Sequence, residues 1–160
     1  MDKVEYHETV MAGKFLQTFY IAFTILWICI FLLVVRYSLA IGAPYFASVL
    51  VIPMVFISLL YCNFGQIVIV ITSEELVVGY RFSNRTHFAL CEIESCEQTK
   101  TNFGKYLGIG IRMGTDGSVA YSTSFGNAVK INLSGKKSFV FSTTHPDTVC
   151  QVISSKLTKT

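Results

Sequence analysis

The feature that most constrains this chain is a charge-free apolar segment near its N-terminus. Residues Phe15–Val35 contain no Asp, Glu, Lys or Arg, and Lys14 and Arg36 flank them. Because a helix rises about 1.5 Å per residue, a segment of this length spans the ~30 Å hydrocarbon core of a bilayer. It is also too long for the apolar core of a signal peptide. We therefore predict a transmembrane helix over residues 15–35.

A second apolar segment follows closely. Residues 46–64 also lack charge, and the connection Tyr37–Tyr45 before them contains the turn-forming run Gly42-Ala43-Pro44. Pro53 lies inside the second segment, and membrane helices tolerate an interior proline because neighbouring groups satisfy the freed carbonyl. We predict a second transmembrane helix over residues 46–64, kinked at Pro53, and thus a helical hairpin over residues 15–64.

The charge distribution predicts the orientation of this hairpin. Two spans place both termini on one side of the membrane. Lys3 and Lys14 precede the first span and Arg81 and Arg85 follow the second, whereas Arg36 alone borders the connection. Since Lys and Arg are enriched on the cytoplasmic side, both termini, including the N-terminal segment 1–14, are predicted to be cytoplasmic. The net charge of +3 is far below the dense basic surface of a nucleic-acid-binding protein, so no nucleic-acid partner is expected.

From Gly65 onward, apolar and polar residues alternate in short runs separated by turn signals, which is typical of β-strands. Strands are predicted over Gln66–Thr72, Leu76–Phe82, Thr86–Leu90, Glu94–Thr99, Ile109–Met113, Val119–Ser122, Ala128–Leu133 and Ser138–Ser142. A final helix is indicated by the capping residue Thr144 and by Pro146 and Asp147 in the first turn. Its apolar residues at 149, 152, 153 and 157 share one face, so it should pack on the sheet.

The order of motifs in the second half resembles a known family. The motifs are Gly108-Ile109-Gly110-Ile111-Arg112, Tyr121, Gly126-Asn127-Ala128-Val129, Ser134-Gly135-Lys136-Lys137 and Thr143-Thr144-His145-Pro146-Asp147. They resemble the bacterial pleckstrin-homology-like domains that follow a transmembrane hairpin. The resemblance implies a mostly-β barrel or sandwich of about seven strands with a C-terminal amphipathic helix over residues 65–160. Related domains are thought to self-assemble or to act as membrane-proximal binding modules.

No pattern of catalytic, cofactor-binding or metal-binding residues is recognisable, so we expect neither an enzyme nor a cofactor. Gly108-x-Gly110 lacks the third glycine and the following helix of a nucleotide-binding loop. The three cysteines of the soluble half, Cys91, Cys96 and Cys150, have neither CxxC spacing nor paired histidines. Their odd number indicates a reducing compartment rather than a disulfide framework.

The candidate contact residues are basic. Arg81, Arg85, Lys100 and Lys105 could form a rim that binds anionic lipid, but a sparse cluster is more often a solvated face. Arg112 ends an otherwise apolar strand. For Arg112 we favour a structural ion pair with Glu92 or Glu94 over contact with a ligand, because structural ion pairs are commoner.

The leading functional hypothesis is a membrane-anchored module that binds protein, itself included, at the cytoplasmic face. An exposed sheet edge, or the groove between sheet and helix, would accept a strand or peptide. Ala128–Leu133 and Ser138–Ser142 are apolar enough for such an interface, and equally for the core. Two alternatives stay open: a lipid-headgroup-sensing domain in envelope homeostasis, and an accessory subunit of a membrane transport complex that uses the hairpin as its interface.

Overall fold

The computed structural model of the chain describes residues 4–42, 48–106 and 108–157. The predicted turn at Ala43-Pro44 and the first two residues of the second predicted span lie outside these ranges. The helices are α1 Lys14–Ala40, α2 Val51–Phe64, α3 Phe103–Tyr106 and α4 Pro146–Leu157. The strands are β1 Tyr6–Met11, β2 Gln66–Ile71, β3 Glu75–Tyr80, β4 Thr86–Ala89, β5 Ile93–Thr101, β6 Gly110–Met113, β7 Val119–Ser122, β8 Gly126–Leu133 and β9 Phe139–Ser142.

The strands of the described chain form two sheets rather than a closed barrel. One sheet has four strands in the order β1-β2-β3-β4, and the other has five in the order β5-β8-β9-β7-β6. All pairings are antiparallel except that of β7 with β9, which is parallel. The predicted mostly-β domain with a C-terminal helix is confirmed, whereas closure into a barrel is wrong.

The main core lies between the two sheets and is completed by α4. Alternate residues of β2 and β3 face inward, which explains the alternation seen in the sequence. Val149 and Ile153 of α4 are fully buried in the same cluster. Its other members include Ile67, Ile69, Ile71, Leu76, Val78, Tyr80, Val129, Ile131, Phe139 and Phe141.

Strand β1 is the element that the sequence analysis missed. It pairs with β2 over its whole length, from Tyr6 opposite Ile71 to Met11 opposite Gln66. Immediately beyond, the Ala12 amide donates to the Gly65 carbonyl at 2.7 Å. The chain therefore leaves the sheet at residue 13 and returns to the same place at residue 65. We call this the hairpin end of the domain, and the opposite end, at Ile71 and Glu75, the far end.

Helix α1 is long and apolar enough to cross a membrane, and none of its apolar window is buried inside the protein. It is longer than predicted, continuing to Ala40. A shorter apolar helix, Ser48–Phe64, runs back beside it. Tyr20 stacks on Tyr61 with ring centroids 4.0 Å apart and donates to Ser58 at 3.1 Å.

Pro53 was predicted to lie in the middle of a helix, but it lies near the start of one. It is the third residue of α2, which follows a single 3-10 turn at residues 48–50. In the first turn an amide has no intrahelical acceptor, so a proline there removes no hydrogen bond. The expected kink is therefore replaced by a helix start, and the nearby Leu50 carbonyl accepts instead from the Trp27 indole at 3.1 Å.

Candidate interaction site beside the hairpin

The outer edge of β6 has no partner strand among the described residues. Its side chains are mostly solvent-facing, with Ile111 39% and Met113 64% exposed. The opposite edge of the same sheet, β5, carries Glu94, Glu97 and Lys100 instead. Charged side chains protect an edge strand from pairing with another chain, and β6 lacks most of that protection. The unprotected edge of the five-stranded sheet is therefore β6.

The two strands singled out in the sequence as interface or core prove to be core. β8 and β9 are interior strands of the five-stranded sheet. Val129, Ile131, Val140 and Phe141 are fully buried. Their hydrogen-bonding edges are occupied on both sides, so they offer no site for strand addition.

Arg112, the only charged residue of β6, is not placed as predicted. Within residues 4–42, 48–106 and 108–157 it forms no ion pair. Glu92 pairs with Lys136 at 2.8 Å instead, and Glu94 lies on β5. Because β5 and β6 are the two edges of one sheet, roughly 19 Å separate them at ~4.8 Å per strand spacing. The predicted pairing with Glu92 or Glu94 is therefore wrong.

Arg112 borders a cleft at the hairpin end. The cleft has a volume of about 360 Å³, and apart from Arg112 its lining is Leu16 of α1, Phe64 of α2, and Ile109, Gly110 and Ile111. A Cβ atom on Gly108 would come within 3.3 Å of Arg112 Nε, so the absence of a side chain there leaves room for the guanidinium. A single unpaired cation thus stands over an apolar cleft formed by both helices.

Tyr80 has a buried hydroxyl near the cleft. Burial, the largest effect, raises the pKa of Tyr80, and the hydrogen bond to Ser122 and, less strongly, the positive charge of Arg112 offset part of that rise. The Tyr80 hydroxyl donates to the Ser122 carbonyl at 3.4 Å. Tyr80 therefore stays neutral and acts as a structural donor beside the cleft.

Arg81 and Arg85 lie in the loop between β3 and β4, also at the hairpin end. Asn63 of α2 anchors this loop, because its side chain accepts from the Phe82 amide at 3.2 Å and donates to Ser83 at 2.8 Å. Phe82 is 70% exposed, and the Arg81 guanidinium lies 5.0 Å from its ring centroid. An exposed aromatic ring and two arginines are thus fixed to the end of the second helix.

The two lysines of the predicted rim differ from the arginines. Lys105, in α3, is bound to Asp116 at 2.8 Å, and this hydrogen bond is the main cause of the raised pKa of Lys105 and the lowered pKa of Asp116. Lys100 lies on β5, opposite Asn127 of β8. The structure therefore brings Arg112 to the hairpin helices and ties the Arg81–Arg85 loop to them, and it places Lys105 in an internal ion pair.

On the other side of the sandwich, α4 is bonded to its neighbours. A disulfide joins Cys150 of α4 to Cys96 of β5, with Cα atoms 5.5 Å apart. The prediction that the cysteines of the soluble half are all reduced is therefore wrong. Gln98 donates to Asp147 at 2.5 Å and Lys156 pairs with Glu5 at 2.5 Å, which adds one polar link to β5 and one to the residue before β1.

Glu8 is the buried centre of the link between β1 and the residues before α4. It is 8% exposed and accepts hydrogen bonds from Thr143 Oγ1 at 2.6 Å, from the Thr144 amide at 2.7 Å, and from the Thr144 hydroxyl. Tyr6 also donates to it, at 2.8 Å. Burial alone would raise the pKa of Glu8, but these hydrogen bonds outweigh burial and lower it. The carboxylate is therefore a charged structural group.

A wide cleft lies at the far end of the domain. It is open, with a volume of about 1060 Å³, and contains Cys91, Glu92 and Lys136. His87 and Glu75, also in its lining, form an exposed pair at 3.0 Å. Across the described parts of the chain, no group of three or more His, Cys, Asp or Glu residues could hold a metal ion.

No family model matches the chain, and neither the curated proteins nor the solved structures contain a match. The resemblance to bacterial pleckstrin-homology-like domains accordingly stays a prediction.

Proposed function

We propose that this is an integral membrane protein whose two apolar helices cross the bilayer as a hairpin and hold a β-sandwich binding module against one surface. The pairing of β1 with β2 carries the proposal. Since the strands on either side of the hairpin belong to one sheet, a chain that enters the membrane in α1 must return to the same side by residue 66. Helix α1 is about 40 Å long and Ser48–Phe64 about 26 Å, against a hydrocarbon core of ~30 Å.

The exposed apolar side chains of the hairpin support immersion in lipid. Phe15, Ile25 and Leu33 of α1 and Ile52 and Phe56 of α2 are all exposed. The contacts between the helices use Tyr20, Ser58 and Trp27, which leaves the long aliphatic residues on the outside. Aliphatic side chains on the outside and polar groups between the helices are typical of membrane spans.

We place the domain on the oxidising side of the membrane, opposite to the orientation predicted from the Lys and Arg distribution. The disulfide between Cys96 and Cys150 supports this side, because structural disulfides are rare in reducing compartments. The opposing bias rests on few charges, of which Arg36 alone lies on the connection side.

Labelling with a membrane-impermeant maleimide tests the topology. Cys91 is an exposed free thiol of the domain, and Ile41→Cys adds one at the other end of α1. Cys29 and Cys62 are changed to Ala in both proteins, and Cys91 is also changed to Ala in the I41C protein, so that each protein has one free thiol. The proposal predicts that Cys91 reacts in intact cells and I41C only after permeabilisation. Reaction of both from one side would exclude two spans, and reaction of Cys91 only after permeabilisation would restore the cytoplasmic orientation.

We propose further that the module binds a second copy of this chain along β6. Apart from Arg112 the edge is apolar, it is open, and it lies beside helices that would confine all copies to one membrane plane. An edge of this kind can extend its sheet by pairing with a like edge through main-chain hydrogen bonds. Self-association is therefore favoured over binding of a foreign peptide.

Crosslinking from single cysteines tests this surface. Met113→Cys on β6 and the matched control Glu97→Cys on β5 are each introduced into a protein lacking Cys29, Cys62 and Cys91. A short bis-maleimide should give dimers with M113C and monomers with E97C. Equal dimer yields at both positions would contradict the β6 interface. A reproducible foreign protein captured by M113C alone would replace self-association with the accessory-subunit alternative.

A further inference from the structure

Two further apolar clefts adjoin the cleft beside Arg112 along the helical hairpin. A second cleft, of about 330 Å³, is lined by Phe15, Leu16, Phe19, Gly108, Ile109 and Phe125. A third, of about 210 Å³, lies between α1 and α2 and is lined by residues that include Leu16, Phe19, Phe23, Leu60 and Phe64. All three share Leu16. The three clefts therefore adjoin at Leu16, and we call the apolar surface that they give from Arg112 along the helices the channel.

We propose that this channel binds one anionic phospholipid, with its phosphate on Arg112 and an acyl chain in the groove between α1 and α2. The inference rests on the proposed membrane insertion of the hairpin. We define the Arg112 channel as Arg112 together with Leu16, Phe19, Phe64 and Ile109. The channel is complementary to a phospholipid. Its one guanidinium suits the phosphate, and the remaining lining, which is almost entirely apolar, suits an acyl chain.

Three observations favour a lipid over other occupants. Arg112 has no ion-pair partner within the described ranges, and a guanidinium offers a planar set of donors suited to phosphate. The channel begins where the helices leave the β domain, which is the depth at which lipid phosphates lie. Arg81 and Arg85 in the Asn63-anchored loop add positive charge at the same end, which attracts anionic headgroups.

Gly108 is the residue that keeps the headgroup position open. Its φ of +141° is one that other residues rarely adopt, and a Cβ atom there would press on Arg112. The same glycine lines the part of the channel next to Phe15 and Phe125. The positive φ of Gly108 and its lack of a side chain therefore together allow Arg112 to lie over the groove.

Native mass spectrometry of the full-length protein, delipidated in mild detergent and then given defined lipids, tests the site. Dioleoyl phosphatidylglycerol and dioleoyl phosphatidylcholine are the probes. The wild-type protein should retain one phosphatidylglycerol per chain, at least tenfold more than phosphatidylcholine. Arg112→Gln should lower retention about tenfold, and Lys137→Gln, an exposed cation of the far-end turn, should leave it unchanged.

Leu16→Trp tests the acyl groove without changing charge. It should lower phosphatidylglycerol retention as Arg112→Gln does, whereas inorganic phosphate at millimolar concentration should not displace the lipid. Equal retention by wild-type, R112Q and L16W proteins would mean that only non-specific boundary lipid binds, and would overturn the site. Full displacement by inorganic phosphate would make it a site for free phosphate. If the maleimide labelling excludes two spans, the proposed membrane insertion fails and the lipid site fails with it. If the labelling supports two spans but the wild-type, R112Q and L16W proteins retain lipid equally, only the lipid site is refuted.

Discussion

The two sides of the β sandwich are held in different ways. On the side of β1 and β5, which we call the α4 side, a helix fills the gap and is fixed by a disulfide, a buried carboxylate and an ion pair. On the side of β4 and β6, the β6 side, Thr86 of β4 and Tyr121 of β7 share one hydrogen bond at 3.1 Å. The Lys105–Asp116 ion pair also lies there, at the β6–β7 turn. Otherwise the β6 side carries exposed Ile111 and Met113, an apolar cleft, and Arg112, which has no ion-pair partner among the described residues.

This difference separates stability from binding. The disulfide and the buried carboxylate both lie on the α4 side, where the N-terminal strand that leads into α1 meets the C-terminal helix. The β6 side is held by the shared core, one ion pair and one hydrogen bond, with no covalent link among the described residues, and it keeps its backbone edge open. Substitutions on the α4 side should therefore lower stability, and substitutions on the β6 side should lower association while the domain stays folded.

The largest effect is expected from removing the disulfide. Cys150→Ala removes a cross-link between residues 54 apart in sequence. Loss of a native disulfide typically lowers the free energy of unfolding by about 2–5 kcal/mol. Urea unfolding of the full-length protein in detergent, followed by circular dichroism, measures the loss. Cys91→Ala is the matched control and should change nothing, because Cys91 is an exposed free thiol. Equal stability of C150A and wild-type proteins would show that α4 is not held by this bond.

Removing the buried carboxylate should have the next largest effect. Glu8→Ala leaves the donors of Thr143 and Thr144 without their acceptor, at about 1–3 kcal/mol. The pKa of Glu8 is lowered in the folded protein, so its contribution is full above the unfolded pKa of about 4.3 and is lost as the pH falls through the folded value. Urea unfolding between pH 7 and pH 3 should therefore show a steeper loss for wild-type than for E8A. Parallel pH profiles would contradict the role given to Glu8.

The exposed ion pair of the far end should matter less. Lys136 and Glu92 are 2.8 Å apart, but both side chains are largely in solvent, so their attraction is screened. Lys136→Ala is expected to cost below about 1 kcal/mol, and 1 M NaCl should abolish the difference from wild-type. A loss comparable to that of E8A would mean that the far end is as firmly held as the α4 side.

The smallest effect on stability is expected on the β6 side. Met113→Lys should change the unfolding free energy by no more than about 0.5 kcal/mol, since Met113 is largely exposed. Its effect should appear in the crosslinked-dimer yield of a second β6 cysteine, Ile111→Cys, which should fall because like charges then face each other across the edge. Unchanged yield together with unchanged stability would remove β6 from the interface.

The strands of the soluble half were predictable because their inward residues alternate, as in Ile67, Ile69 and Ile71 of β2. β1 was missed because one of its two buried residues is Glu8, whose hydrogen-bond donors are residues 143 and 144. Alternation of polar and apolar residues cannot reveal a carboxylate that is buried by hydrogen bonds from a distant segment.

The site was less predictable than the fold. Arg112 was recognised as unusual, but its surroundings depend on strand order, and the order β5-β8-β9-β7-β6 separates it from the glutamates that follow residue 91 in sequence. The disulfide could not be predicted for the same reason, because Cys96 and Cys150 come together only when α4 lies on β5. The sequence analysis assigned Gly108 and Gly110 to the backbone, but the space that Gly108 leaves for Arg112 is visible only in the fold.

Hydrogen–deuterium exchange of the full-length protein reconstituted in lipid compares the two edges of the five-stranded sheet most directly. Exchange at β6 and β5 is followed with one copy per nanodisc and again in densely loaded proteoliposomes. The account predicts fast exchange of the outward β6 amides in single-copy nanodiscs, strong protection of the same amides at high density, and no change at β5. Equal exchange of β6 under both conditions would contradict an open edge that a second copy completes.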